Sequence, residues 1–156
     1  MTLNQLECIY NFHDCDVFTP FEMEGNSIAI TFDLAKHLQY DALKSRYGDS
    51  LSNKEHDLIV KANFFNCSDI QVREWEDCTS KTTNKKKKHN EKMIQIEQFN
   101  VDMDFISLAI LGENKICFLF EKHGHPRKFS EIQFVCQDVS IIEEKIYIAS
   151  EYDKPL

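Results

Sequence analysis

With only four glycines and three prolines in 156 residues, the chain has little material for a loop-dominated architecture, and no internal repeat is evident. The six cysteines (Cys8, Cys15, Cys67, Cys78, Cys117, Cys136) include no CxxC pair, which removes the paired spacing of a zinc ribbon or a thioredoxin-type redox motif. No apolar run approaches the length of about 18 residues that a membrane-spanning helix needs. No charged-then-apolar leader opens the sequence. Glycine-rich phosphate loops and nucleophile elbows are also missing, and with them the common signatures of nucleotide-binding and hydrolytic enzymes. The expectation is a cytoplasmic protein with reduced thiols, leaning away from an enzyme, with no catalytic residue, cofactor or metal assigned.

What is present is core material. Hydrophobic residues make up 42% of the chain and 12 of them are Phe, so residues 1–156 are expected to form a single domain burying about 70% of its unfolded surface. The formal charge of −8 divides into +5 over residues 81–92, which hold six Lys and one Glu, and −13 over the rest. An acidic body of that kind repels nucleic acid and anionic membrane and suits a cationic protein partner. Residues 79–92 lack an apolar docking residue apart from Cys78 just before them. They read as a mobile, solvated, Lys-rich loop. The run Lys85–Lys88 has no interleaved aromatic residue, so nucleic acid is not expected as a partner.

Two-residue alternation dominates the pattern. The segment from Phe105 to Lys122 holds two apolar runs parted by Gly112, Glu113 and Asn114, a hairpin signal. A three-residue loop sets Ile110 across from Ile116, Leu108 from Phe118 and Ile106 from Phe120, giving one continuous apolar face. A one-residue slip would break that face. The opposite face is mixed, which predicts a strand pair inside a sheet with cover on both sides. An earlier hairpin turns at Gly25-Asn26, with Met23 meeting Ile28 and Phe21 meeting Ile30, and Pro20 marks an edge strand or a bulge. Leu58, Val60, Ala62 and Phe64 share one strand face, continued by Ile70 and Val72, while Gln71, Arg73, Trp75 and Asp77 take the other. Met93–Phe99, Ile132–Cys136 and Ile146–Ile148 supply further short strands. Leu3, Leu6 and Tyr10 lie at helical spacing behind Thr2 as N-cap. Residues 34–47 fit either a helix from Asp33 to Gly48 or an irregular crossover. The fold class is therefore mainly β, or α+β with little helix. About eight or nine antiparallel strands form a meander that is either a twisted sheet or an incomplete barrel.

Few motifs carry chemistry. His13-Asp14 has the letters of a phosphohydrolase dyad, yet it precedes a strand, whereas such a dyad needs helices; a turn with Asp14 as cap is the plainer reading. His123-Gly-His125 places two imidazoles close together without a second ligand cluster, and Pro126 makes it an ordinary turn. Trp75 is the single Trp. Flanked by Glu74, Glu76 and Asp77, it is a candidate protein-contact residue if exposed. The alternative for Trp75 is packing beneath the Lys-rich segment or the N-terminal helix.

The run Phe12-His-Asp-Cys-Asp-Val17, followed by the Gly-Asn hairpin and Ile28–Asp33, resembles the "HDs" opening of small bacterial β-rich families. Ile132-Gln-Phe134 with Val139 is similar to their "I-x-F…V" ending. The resemblance covers about a quarter of the chain, Cys15 stands where Ser is usual, and the Lys-rich stretch has no counterpart. Those families include uncharacterised proteins and immunity proteins of polymorphic-toxin systems. The resemblance thus implies a cytoplasmic, non-catalytic binding protein that neutralises a toxin by covering its active site. Contact residues would be Glu74, Trp75, Glu76 and Asp77. The rival expectation is a small-ligand binder or enzyme with a pocket in a β half-barrel, using His13, Asp14, His123 or His125, and a purely structural role is the third.

Overall fold

The computed structural model describes residues 1–13, 15–34, 40–48, 56–79, 86–99, 102–124 and 126–148. Helix α1 (Leu3–Ile9) starts at Thr2, whose hydroxyl accepts from the Gln5 amide at 3.2 Å while the Gln5 side chain accepts from the Thr2 amide at 2.8 Å. This reciprocal cap satisfies two orphan donors and aims Leu3, Leu6 and Tyr10 into the interior. Two strands follow, β1 (Asp16–Glu24) and β2 (Ser27–Leu34), then helix α2 (Tyr40–Tyr47), β3 (His56–Phe65), β4 (Ser68–Thr79) and β5 (Lys86–Ile94). A turn of 3-10 helix at Ile96–Gln98 leads to β6 (Asp104–Leu111), β7 (Lys115–Lys122), β8 (Arg127–Val135) and β9 (Asp138–Ile148).

The nine strands form two antiparallel sheets, ordered β1-β2-β3-β9 and β5-β4-β8-β7-β6. The fold is mainly β, as the alternation predicts, and no barrel closes among the described residues. Local pairing follows the expected registers. Ile110 faces Ile116 and Leu108 faces Phe118 around the Gly112 turn (φ +72°), and Met23 faces Ile28 around Gly25 (φ +58°). Glycine meets those positive φ values without the Cβ clash that other residues incur. Irregularities interrupt both hairpins farther from the turn. The register shifts between Phe18 and Glu22, so β1 is an edge strand with a break at Pro20. A second shift between Phe105 and Ser107 sets Phe105, rather than Ile106, opposite Phe120 and turns Ile106 outward, 42% exposed.

The core lies between the sheets. Ile28, Ile30, Phe32, Leu34, Leu58, Val60, Ala62 and Phe64 of one sheet meet Val72, Ile116, Phe118, Phe120, Ile132 and Phe134 of the other, and each is at most 1% exposed. Phe118 is the hub: its ring packs on those of Phe21, Phe32, Phe105 and Phe134 at centroid distances of 5.3 to 6.5 Å. Packing of this kind adds to plain area burial.

The chain passes between sheets at two adjoining bends. Asn66-Cys67 joins β3 to β4, and Cys136-Gln137 joins β8 to β9. Because β3 pairs with β9 and β4 with β8, the two bends lie side by side. They are tied by Asn66 Nδ2 donating to Gln137 Oε1 (3.2 Å) and by the Gln137 amide donating to the Phe65 carbonyl (3.1 Å). The meander of the sequence reading therefore holds within β1-β2-β3 and within β6-β7-β8, and these corners join the two.

Several expectations are corrected. Residues 79–92 are not one solvated loop: Thr79 ends β4 and Lys86 begins β5, with residues 80–85 outside the described part. The missing apolar alternation is replaced by charge, since β5 runs opposite an acidic strand, with Lys92 across from Glu74, His89 from Glu76 and Lys88 from Asp77. Met93 and Ile94 end that strand, and Ile96–Gln98 is a 3-10 turn instead of strand. Leu34 closes β2, and helix α2 is described over Tyr40–Tyr47, with residues 35–39 outside the described part. The β6–β7 hairpin is not enclosed on both sides, because β6 is a sheet edge.

Candidate functional site

Of the residues singled out in the sequence, Glu74, Trp75 and Glu76 line one cavity, and His13 and His123 lie elsewhere. Alternation along β4 sends Trp75 and Asp77 to the outer face and Glu74 and Glu76 to the inner one. Trp75 is only 9% exposed, stacked on Phe129 of β8 at 5.6 Å with the ring planes 13° apart. The Arg127 guanidinium lies 5.2 Å above the other ring of that pair, Phe129. Packing is thus the fate of Trp75, as the alternative reading had it, and Phe129 is one ring that covers it. Glu74 pairs with Lys92 at 3.7 Å, and Glu76 accepts from Asn90 Nδ2 at 2.9 Å. Both acids help line a cavity of about 290 Å³ with Lys92, Lys122 and Lys128 at the open end of the sandwich. These acids are engaged in holding β5 against β4.

The histidines separate too. His123 is exposed at the end of β7, its Nε2 3.3 Å from Glu121, whose carboxylate also takes Arg127. His125 and Asp14 lie outside the described residues, so neither the two-imidazole reading nor the His-Asp dyad is drawn here. Among the described residues no three His, Cys, Asp or Glu side chains cluster as a metal site, and no helix is long and apolar enough to cross a membrane.

One half-buried carboxylate holds the helices. Glu144 of β9 accepts from the Tyr10 and Tyr47 hydroxyls and pairs with Arg46 Nε at 3.1 Å. Burial, followed by the bond to Glu144, raises both phenols above their usual ionisation range. Three elements meet at this carboxylate, which positions α1 and the connection after it.

That connection lines one wall of a trough. Glu7, Tyr10, Asn11, Phe12, His13 and Cys15 face Phe105–Leu108 of β6 across a trough of about 440 Å³. His13 is the one sequence candidate found there, its amide bonded to Asn11 Oδ1 at 2.9 Å. Beside the trough runs the edge of β6, which approaches β1 without pairing to it. The four sheet edges differ in protection. β1 has Pro20 and a broken register; β5 carries Lys86, Lys87, Lys88 and Lys92; β9 carries Glu143, Glu144 and Lys145. Lysine, proline and irregular register are the devices that keep an edge from pairing with another strand. β6, with the sequence DFISLAIL, has one acid at its start and one irregularity beside it, and from Ser107 to Leu111 it has neither charge nor break. Ile106 and Leu111 stand 42% and 46% exposed. Sequence reasoning missed this surface because edge status depends on strand order; the signal that could have found it was the absence of Lys and Pro from residues 105–111.

Comparison with known proteins finds no matching family model, no matching curated sequence and no matching solved structure.

Proposed function

We propose that the chain is a non-enzymatic protein-binding module that takes an extended segment of its partner onto the β6 edge. One observation carries the reading: among the described residues of the four sheet edges, the β6 stretch from Ser107 to Leu111 has neither charge nor break, and Ile106 and Leu111 stand outward beside a trough. Strand addition uses those features together. Backbone pairing supplies affinity, at about 0.5–1.5 kcal/mol net per hydrogen bond, and alternate side chains entering a groove supply specificity. The acidic body, with Glu7 on the trough wall and Asp104 at the start of β6, favours a partner segment that alternates apolar and basic residues.

The resemblance to the HDs-start families supports a finer version, in which the partner is a basic toxin and the bound chain occludes its active site. The test is isothermal titration against the product of the adjacent upstream gene. Ile106→Lys/Leu111→Lys should weaken binding at least about 100-fold, since two charges then guard the edge, while the melting temperature stays put. Tight binding that ignores both substitutions contradicts the β6 surface, and no binding by the unmodified chain contradicts the immunity reading. A small molecule filling the trough would instead leave titration of the partner protein flat and respond to substitution of His13.

A further inference from the structure

The two bends that join the sheets place Cys67 directly beside Cys136. Phe65 pairs with Asp138 on one side of the bends and Ser68 with Val135 on the other, so Asn66 falls opposite Gln137 and Cys67 opposite Cys136. The Asn66–Gln137 side-chain bond at 3.2 Å ties the two bends together, with the Gln137 amide reaching the Phe65 carbonyl one step off register at 3.1 Å. Backbone directions identify the kind of pair. The Cys67 amide donates to the Asn26 carbonyl in the β1–β2 turn at 2.8 Å, and the Cys136 amide donates to the Asn114 carbonyl in the β6–β7 turn at 2.9 Å. Both amides point away from the facing bend, which is the arrangement of a non-hydrogen-bonded antiparallel pair. In such pairs the Cα atoms approach to roughly 4.5 Å and the side chains are at their closest. A disulfide needs Cα atoms about 4.4–6.8 Å apart. Both side chains turn inward, 8% and 2% exposed, and both thiols are free in this structure.

We propose that Cys67 and Cys136 form a redox-sensitive cross-strand pair whose oxidation staples the two sheets together at their common corner. The site is independent of the β6 surface. A low-molecular-weight disulfide such as oxidised glutathione is the oxidant. The Cys67 thiolate attacks one of its sulfurs, forming a mixed disulfide and expelling one glutathione thiolate. The Cys136 thiolate then displaces the second glutathione, leaving the Cys67–Cys136 bond. Two electrons pass from the protein thiols to the oxidant, and the two thiol protons end on the released glutathiones. Cys67 is the attacking group because it is the more exposed of the two. Burial holds Cys67 up at about 11, and burial together with the neighbouring Cys67 holds Cys136 up at about 12, so exchange is slow at neutral pH and quickens as pH rises.

The full chain is incubated with oxidised glutathione at pH about 8.5 to 9, near the ordinary thiol value, then alkylated and mapped without reductant. The expected result is the loss of two hydrogens, a peptide linking Cys67 to Cys136, and a rise in melting temperature of roughly 5–15 °C for closing a loop of about 70 residues, reversed by dithiothreitol. Cys136→Ser should instead retain one glutathione on Cys67. Recovery of both thiols alkylated, persistent glutathione on both, or linkage to other cysteines overturns the proposal; the measurement on the unsubstituted chain decides this even if the variant does not fold.

Discussion

At the scale of single residues, burial ranks the effects. Phe118 is fully buried and touches four other rings, so Phe118→Ala should cost about 3–5 kcal/mol in urea melts. Leu108, its cross-strand neighbour, sits on an edge strand and is only half-buried; Leu108→Ala should cost less than half of that. The buried thiols set a pH dependence. Burial holds Cys67 and Cys117 at about 11 and Cys136 at about 12, against an ordinary 9.0. The folded chain thus keeps protons that the unfolded chain releases, and their stabilising contribution is complete below pH 9. Stability should fall as pH rises from about 9 towards 12, and Cys67→Ala/Cys136→Ala should flatten that fall in urea midpoints taken across the range. Residue identity on each strand face was legible in the sequence. Trp75 shows the limit: its outward face was evident, but the Phe129 ring that covers it comes from a strand more than 50 residues away.

At the scale of elements, β5 is the instructive case. A strand with four lysines and no apolar alternation reads as loop, because its own pattern carries no strand signal; its register sets Lys92 across from Glu74 and Lys88 from Asp77. Opposite charges across a strand pair contribute about 0.2–1 kcal/mol each and like charges cost similar amounts. Reversing the acidic strand with Glu74→Lys/Glu76→Lys should therefore release β5. In hydrogen exchange the amides of residues 86–92 should lose protection while those of β3 and β7 keep theirs; unchanged protection in β5 would mean that charge does not hold it. By contrast, the hairpins at Gly25 and Gly112 were readable because turn and register are local. The irregularities at Phe18–Glu22 and Phe105–Ser107 were not fully readable, since a bulge forms where facing strands and packed rings demand it. Pro20 flagged the first; nothing in the letters flagged the second.

At the scale of the whole molecule, the pairings of β3 with β9 and of β4 with β8 bring together segments some 50 to 90 residues apart. No local pattern encodes such pairings, so strand order, the corner and the identity of the edges lay beyond sequence reading. The candidate surface depends on all three. Alternation was enough to predict a β protein, and composition was enough to favour a basic protein partner as the expectation; the proposed place of contact moved from the acidic stretch of β4 to β6 only when the sheets were assembled. The most direct test of that placement is hydrogen exchange on the free chain and on its complex with the neighbouring gene product. In the free chain the amides of residues 106–111 that point away from β7 should exchange rapidly, and partner binding should slow them at least about tenfold, as strand addition requires. Protection gained around Glu74–Asp77, with β6 unchanged, would contradict the account.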